Sequence, residues 1–299
     1  MAQPSDPYDV IIVGQGAAAF AAALYTARYR LNTLILGDIF GGETAKGGLI
    51  ENYPGAGSLD GFDLMLNMKQ QVEKYAVPTV DEGVESITSE NQCFEVRSTG
   101  GVYQGASVIL AVGRERRKLG LPHEDEWTGR GVSFCATCDA PLYRSKVAAV
   151  VGGGDAAVNG ATLLGKYATK VYIIYRGQAF TRPEPVNVRL LEESPNVEQL
   201  LNTNVVALLG EEGLTGVVLD QEHGGSRELV LDGLFIEIGA DPRVDLPQQL
   251  GVRLNDRNEV AVDKLMRTSV PGVFAAGDLT DGSGDLKQTI TAAAQGAIA

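Results

Sequence analysis

Cysteine, histidine and tryptophan are scarce in this 299-residue chain, which holds three, two and one of them. Three cysteines cannot build the disulfide framework of a small secreted scaffold, so a Cys-x-x-Cys pair among them reads as redox or metal chemistry. A tetrahedral zinc site needs about four ligands. Beyond the pair, only Cys93, His123 and His223 are available, and they stand singly, so no metal is expected. Both histidines fall in polar stretches, at 122–125 and 222–225, and are expected in solvated loops. Positive charge is lacking too. A net charge of −13 excludes the basic footprint that nucleic acid requires and argues against an anionic membrane surface. No run of about 18 apolar residues is present to span a bilayer. The opening residues 1–6 have neither a basic nor an apolar segment of the secretory kind, so no signal peptide is expected. The expected compartment is the cytoplasm.

Glycine is abundant, and its placement is informative. Two strand–turn–helix–strand patterns carry Gly14-x-Gly16-x-x-Ala19 and Gly152-x-Gly154-x-x-Ala157. Each follows an apolar, β-branched run suited to a buried parallel strand, and each opens an Ala-rich stretch with high helix propensity. The copies keep register without gaps: Gly14 to Asp38 and Gly152 to Arg176 both span 24 positions. An internal duplication of a dinucleotide-binding unit accounts for this. Apolar strands ending at Gly113 and Gly239 give way abruptly to charge or to Asp-Pro, which marks two linkers. The expected fold class is α/β, with two Rossmann-like, three-layer ββα domains, one inserted in the other. Residues 1–116 and 246–299 would form the first domain and 117–245 the second, with linkers that permit rigid rotation.

In such turns the first glycine makes the tight bend and the second lets backbone approach a pyrophosphate. The small third residue brings helix and sheet together, so the helix N-terminus faces the anion. Asp38 is placed to accept from ribose hydroxyls. Its counterpart in the second copy is Arg176, a cation that favours a 2′-phosphate, hence NADP over NAD. Between the copies lies Cys135-Ala136-Thr137-Cys138-Asp139. Zinc ligation and an inert structural pair are the alternatives to a redox pair, and the missing ligands and the reducing compartment weigh against both. With histidine so scarce, Asp139 is the candidate to move the proton as thiol and thiolate interconvert; a helix cap is the alternative role. Cys93, in an alternating pattern over 91–97, is expected to pack.

These motifs resemble the low-molecular-weight thioredoxin reductases over nearly the whole chain, Cys-Ala-Thr-Cys-Asp above all. Further matching segments are Gly41-Gly42, 51–55, 111–113, 129–133 and 275–278. The resemblance implies FAD on Gly14, Gly16 and Ala19, with Gly42, Asn52, Gly113, Gly277, Asp278 and Gln288 completing its site. It implies Cys138 as the thiol nearer the flavin, Cys135 as the attacker of the substrate disulfide, and Asp139 as the acid/base. It implies a homodimer whose inserted domain rotates, with a thioredoxin-like protein or a small disulfide as partner.

Departures from the family pattern concentrate in the second copy. Ala156 replaces a serine and Asn159 an acid; Tyr175-Arg176-Gly177 replaces His-Arg-Arg; Thr181 stands where a further arginine belongs, with Arg182 displaced by one beside Pro183 and Pro185. Planar guanidinium forks hold a 2′-phosphate best. Each lost charge-assisted bond removes roughly 1.5–3 kcal/mol, a tenfold or larger weakening. No carboxylate replaces them for NADH. Divergent members, including a deeply branching cyanobacterial type, are similar in lacking a good NADPH site. The expected function is FAD-dependent disulfide reduction through Cys138 and Cys135 with weakened NADPH use. The alternatives are a reductase or dithiol oxidase served by ferredoxin or oxygen, and a non-enzymatic flavin redox sensor. The chain also stops within what should be a closing helix, at 291–299.

Overall fold

The computed structural model describes residues 7–46, 49–90 and 93–299. The N-terminal stretch 1–6 and the first two residues of the alternating pattern at 91–97 lie outside the described residues. The chain divides into two compact units, 1–115 with 241–299, and 116–240.

The first unit is built on the strands Tyr8–Val13, Thr33–Leu36, Thr79–Val80, Val102–Leu110 and Val273–Ala275, all parallel. Val102–Leu110 serves two layers. Its second half pairs with Val273–Ala275, while its first half pairs antiparallel with Cys93–Ser98, which continues to Val84–Glu90. Residues Val10 to Val13 are buried, as expected of a strand covered on both faces. The helix Ala17–Arg28 buries its first seven residues, six alanines and Phe20. Those small side chains let the helix Thr289–Ile298 approach so closely that a Cβ on Gly296 would overlap the Ala18 carbonyl.

The second unit repeats the pattern. Five parallel strands run in the order Val132–Ser133, Gly233–Ile236, Val147–Val151, Lys170–Tyr175, Val197–Leu201. Helices Asp155–Gly165 and Pro185–Glu192 pack with this sheet, and an antiparallel sheet of Val205–Gly210, Leu214–His223 and Ser226–Val230 completes the unit.

Three details differ from the sequence expectations. The return crossing falls at Asp241 rather than 246. Val244 and Leu246 pack with Val252 and Val260 in the first unit's core, which draws 241–245 out of the insert. The charged run after Gly113 is partly ordered as the strand Arg114–Arg116. His223 ends a strand instead of sitting in a loop, with Nε2 3.3 Å from Glu198 and its ring edge against Tyr172. His123 is exposed and stacks on Trp127.

Candidate active site

The two glycine turns match in backbone as well as in sequence. Gly14 and Gly152 hold φ of +122° and +147°, and a Cβ there would overlap the carbonyl oxygen of Ala111 or Glu237. Only glycine satisfies both constraints. Gly14 N–H donates to Leu36 at 2.7 Å and Gly152 N–H to Ile174 at 3.0 Å, again at matching positions. Gly16 and Gly154 are the N-caps of the helices that follow, with extended backbones and no side-chain cap. Nothing lies within 4 Å of a Cβ built on either. Each helix therefore opens onto free space with uncapped N–H groups, which is what a pyrophosphate requires.

Within the first unit Gly42 lies beside this opening, and other expected residues are tied to one another. A Cβ on Gly42 would lie 3.7 Å from the Gly16 Cα, and Gly113 faces open space. Asn52 Nδ2 donates to Gln288 Oε1 at 3.1 Å, and Gln288 caps the helix Thr289–Ile298 in a reciprocal box with Thr291. Gly277 N–H donates to Gln295 Oε1 at 2.7 Å, and Asp278 follows it. Burial pushes the Asp278 carboxyl above the ordinary carboxylate range, against the opposing pull of Arg114 and Lys287. Ala19 is fully buried. Asp38 is exposed beside Gly83.

The second turn differs in one respect that sequence reasoning missed. In the first copy Gln15 lies over Gly37, its Cγ 3.1 Å from where a Cβ would stand. In the second copy the bulk changes sides: Gly153 stands where Gln15 does, and Tyr175 stands where Gly37 does. The Tyr175 ring covers Gly153 and stacks on Phe180 with centroids 5.4 Å apart. Arg176 and Arg182 are both exposed, and no ion pair is made by either among the described residues. The loop before Pro185–Glu192 is tied back by Asp155, which accepts from Glu184 N–H at 2.8 Å and Asn187 Nδ2 at 2.7 Å. Ala157 is fully buried behind the turn.

Cys135 and Cys138 form a disulfide with Cα atoms 5.3 Å apart. Cys135 is the N-cap of the short helix Ala136–Asp139, and its Sγ accepts from Cys138 N–H at 3.1 Å. That bond favours a thiolate on Cys135 once the pair is reduced. Exposure runs the other way, with Cys138 exposed and Cys135 half-buried. Ser133 Oγ donates to Asp139 Oδ2 at 2.7 Å and accepts from Cys135 N–H at 3.0 Å. Ser133 was not given a role from sequence, although it ends the family-like segment 129–133 two residues before the pair. Glu237 Oε1 lies 3.4 Å from Ala136 N and 3.7 Å from Arg116. Cys93 is a free, half-buried thiol in the strand Cys93–Ser98. Among the described residues no group of three or more metal-binding side chains occurs, and no helix is long and apolar enough to cross a membrane.

Two dinucleotide-type turns and a Cys-x-x-Cys disulfide define a flavin- and nucleotide-linked disulfide oxidoreductase. The family model of the pyridine nucleotide-disulphide oxidoreductases matches residues 8–296. Thioredoxin reductases of Treponema pallidum and Streptomyces clavuligerus are 39% and 40% identical, over 98% and 99% of this chain and 94% and 92% of theirs. The crystal structure of Lactococcus lactis thioredoxin reductase superposes with a TM-score of 0.91 at 32% identity, covering 98% of this chain and 96% of that one. The chain belongs to the thioredoxin reductase family of flavoprotein disulfide oxidoreductases.

Proposed function

We propose that the protein reduces the disulfide of a thioredoxin-like protein or a small molecule through Cys135 and Cys138, with Asp139 as acid/base. The observation that carries this reading is the Cys135–Cys138 disulfide at a helix start, beside a carboxylate fixed by Ser133. The Cys135 thiolate attacks one sulfur of the incoming disulfide, that S–S bond breaks, and Asp139 gives the leaving sulfur its proton. Cys138 then attacks Cys135 in the mixed disulfide, which closes the protein's own disulfide and frees the second substrate thiol. Each cycle delivers two electrons and two protons to the substrate. FAD, when bound, supplies electrons in pairs to reopen the Cys135–Cys138 bond, through Cys138. Gly14, Gly16, Ala19, Asp38, Gly42, Asn52, Gly113, Gly277, Asp278 and Gln288 would hold it; the uncapped helix start at Gly16, Gly42 beside it and the Asn52–Gln288 hydrogen bond support that reading.

The second turn, with Gly152, Gly154, Ala157, Arg176 and Arg182, would receive a nicotinamide nucleotide, and we read it as weak for NADPH. Two isolated surface arginines and a Tyr175 ring over Gly153 support that reading. We place the protein in the cytoplasm. We propose a homodimer, as the family resemblance implies, with a groove on the first unit lined by Leu24, Tyr25 and Met68 beside Asn67, Gln70 and Lys74 as a candidate face; sedimentation equilibrium measures it. An anaerobic titration at the flavin absorbance band tests the donor. Two equivalents of dithionite, four electrons for the flavin and the Cys135–Cys138 disulfide together, should bleach the flavin fully, while two equivalents of NADPH or NADH should bleach only a small part. Full bleaching by two equivalents of NADPH overturns the weak-donor reading. Bleaching by reduced ferredoxin assigns that donor, and peroxide formed from added dithiols marks an oxidase. Stoichiometric reduction without turnover marks a sensor.

A further inference from the structure

We infer that Ser133 is a positioning residue that couples the acid/base carboxylate to the attacking cysteine. This rests on the roles proposed above for Cys135 and Asp139. The Ser133 side chain is 3% exposed, so water does not compete for its hydrogen bonds. A hydroxyl has one proton and two lone pairs. One lone pair is taken by Cys135 N–H at 3.0 Å. The proton has two acceptors in range, Asp139 Oδ2 at 2.7 Å and the Cys135 carbonyl at 3.4 Å, and the shorter, charge-assisted bond prevails. Donor and acceptor duties are thus divided between the two residues on which the chemistry depends.

The consequence is geometric. Asp139 ends the four-residue helix Ala136–Asp139, and its N–H donates to Cys135 at 3.2 Å. A helix this short is fixed only weakly by its own hydrogen bonds. Ser133 stands on a different element, the strand Val132–Ser133, which pairs with Gly233–Ile236 in the parallel sheet. The hydroxyl therefore anchors both ends of the Cys-x-x-Cys-Asp segment to the sheet. It fixes the carboxylate in one orientation while the disulfide opens and closes. Ionisable groups near this segment include Tyr143, whose phenol feels the charges of Asp139 and Asp232, and Glu237, which faces Ala136 N–H and Arg116. The Asp139 carboxylate is held by Ser133 Oγ.

The leaving group provides a test that a merely structural role would not pass. An alkyl thiolate is a poor leaving group and needs a proton, whereas an aryl nitrothiolate leaves readily without one. Flavin-loaded protein is reduced anaerobically with dithionite and mixed in a single turnover with hydroxyethyl disulfide or dithiobis(nitrobenzoate). For Ser133→Ala the expected result is roughly a tenfold to hundredfold slower reaction with the alkyl disulfide and a rate within about twofold of normal with the aryl one. Ser133→Thr, which keeps the hydroxyl, should restore most of the alkyl rate. Equal slowing with both disulfides, or no slowing with either, overturns the inference. Asp139→Asn separates it from the reading beneath it. If Asp139→Asn shows the alkyl-selective loss and Ser133→Ala does not, Ser133 has no positioning role. If Asp139→Asn spares both disulfides, the acid/base assignment itself fails. In the double variant, the Ser133 change should add little to the Asp139 loss, because the hydroxyl acts through that carboxylate.

Discussion

Cys135→Ser should leave a yellow, folded protein whose disulfide reduction falls roughly a thousandfold or more, since removing a nucleophile leaves only the background of binding. Cys138→Ser should be equally inactive in turnover but different in kind. Its Cys135 can still attack a substrate disulfide, and without a second thiol the mixed disulfide persists. Mass spectrometry of Cys138→Ser after exposure to a thioredoxin-like disulfide should therefore show one covalent adduct per chain, and Cys135→Ser should show none. The hydrogen bond from Cys138 N–H to Cys135 Sγ favours Cys135 as the thiolate, while exposure favours Cys138 as the more accessible sulfur. Thiolate fraction enters the rate of exchange directly, and a half-buried sulfur remains within reach of a small disulfide. The hydrogen bond therefore makes Cys135 the expected attacker. An adduct on Cys135→Ser and none on Cys138→Ser would exchange the two roles.

The duplication was legible because it rests on residues whose backbone leaves no choice. Gly14 and Gly152 hold positive φ against a facing carbonyl, so the sequence at those points reports the structure directly. The strands flanking them were legible because burial on both faces demands unbroken apolar runs. Other features were hidden for physical reasons. Ser133 works through two hydrogen bonds, and no spacing rule shows which acceptor a hydroxyl will find across six residues. The exchange of bulk between Gln15 over Gly37 and Tyr175 over Gly153 depends on contacts between a turn and the end of the next strand, and only the fold brings them together. The return crossing was misplaced because Asp241-Pro242 reads as a linker by composition, while its assignment depends on Val244 and Leu246 finding a distant core.

That exchange also sharpens the view of the second nucleotide site. Both turns retain a glycine where backbone must approach a phosphate, so the weak NADPH use proposed above does not come from a collapse of the turn. In that reading it comes from charge placement after the strand Lys170–Tyr175, where Gly177 and Thr181 stand at places that carry arginines in the family pattern and Tyr175 stacks on Phe180. A 2′-phosphate gains little from such a surface, because single exposed arginines are solvated and screened.

The largest effect on stability should come from Glu259, far in sequence from either turn. Its carboxylate is 2% exposed and is held by Arg114 at 2.7 Å, Lys287 at 3.0 Å, Arg257 at 3.2 Å and Asn255 Nδ2 at 3.0 Å. Arg114 also donates to the Asp278 carbonyl at 3.0 Å, and Lys287 precedes Gln288. One buried carboxylate thus ties the residue after Gly113 to the Asp278 turn and to the cap of the last helix. Burial pushes the Glu259 carboxyl up, but hydrogen bonds from Asn255 and Lys287 and the charges of Lys287 and Arg257 outweigh it and hold it below the ordinary range. Glu259→Ala should destabilise the first unit by about 3–5 kcal/mol, the cost of removing the buried carboxylate that Arg114, Lys287 and Arg257 share. Urea unfolding of the flavin-loaded protein, followed by release of flavin fluorescence, measures this; a shift below about 1 kcal/mol would refute it. The pH dependence has a definite sign. Because the folded carboxyl is the more acidic, its contribution is fully present above the unfolded value of about 4.3 and is lost as pH falls through the lower folded value. The gap between the native protein and Glu259→Gln should therefore be constant near neutrality and close progressively below about pH 4.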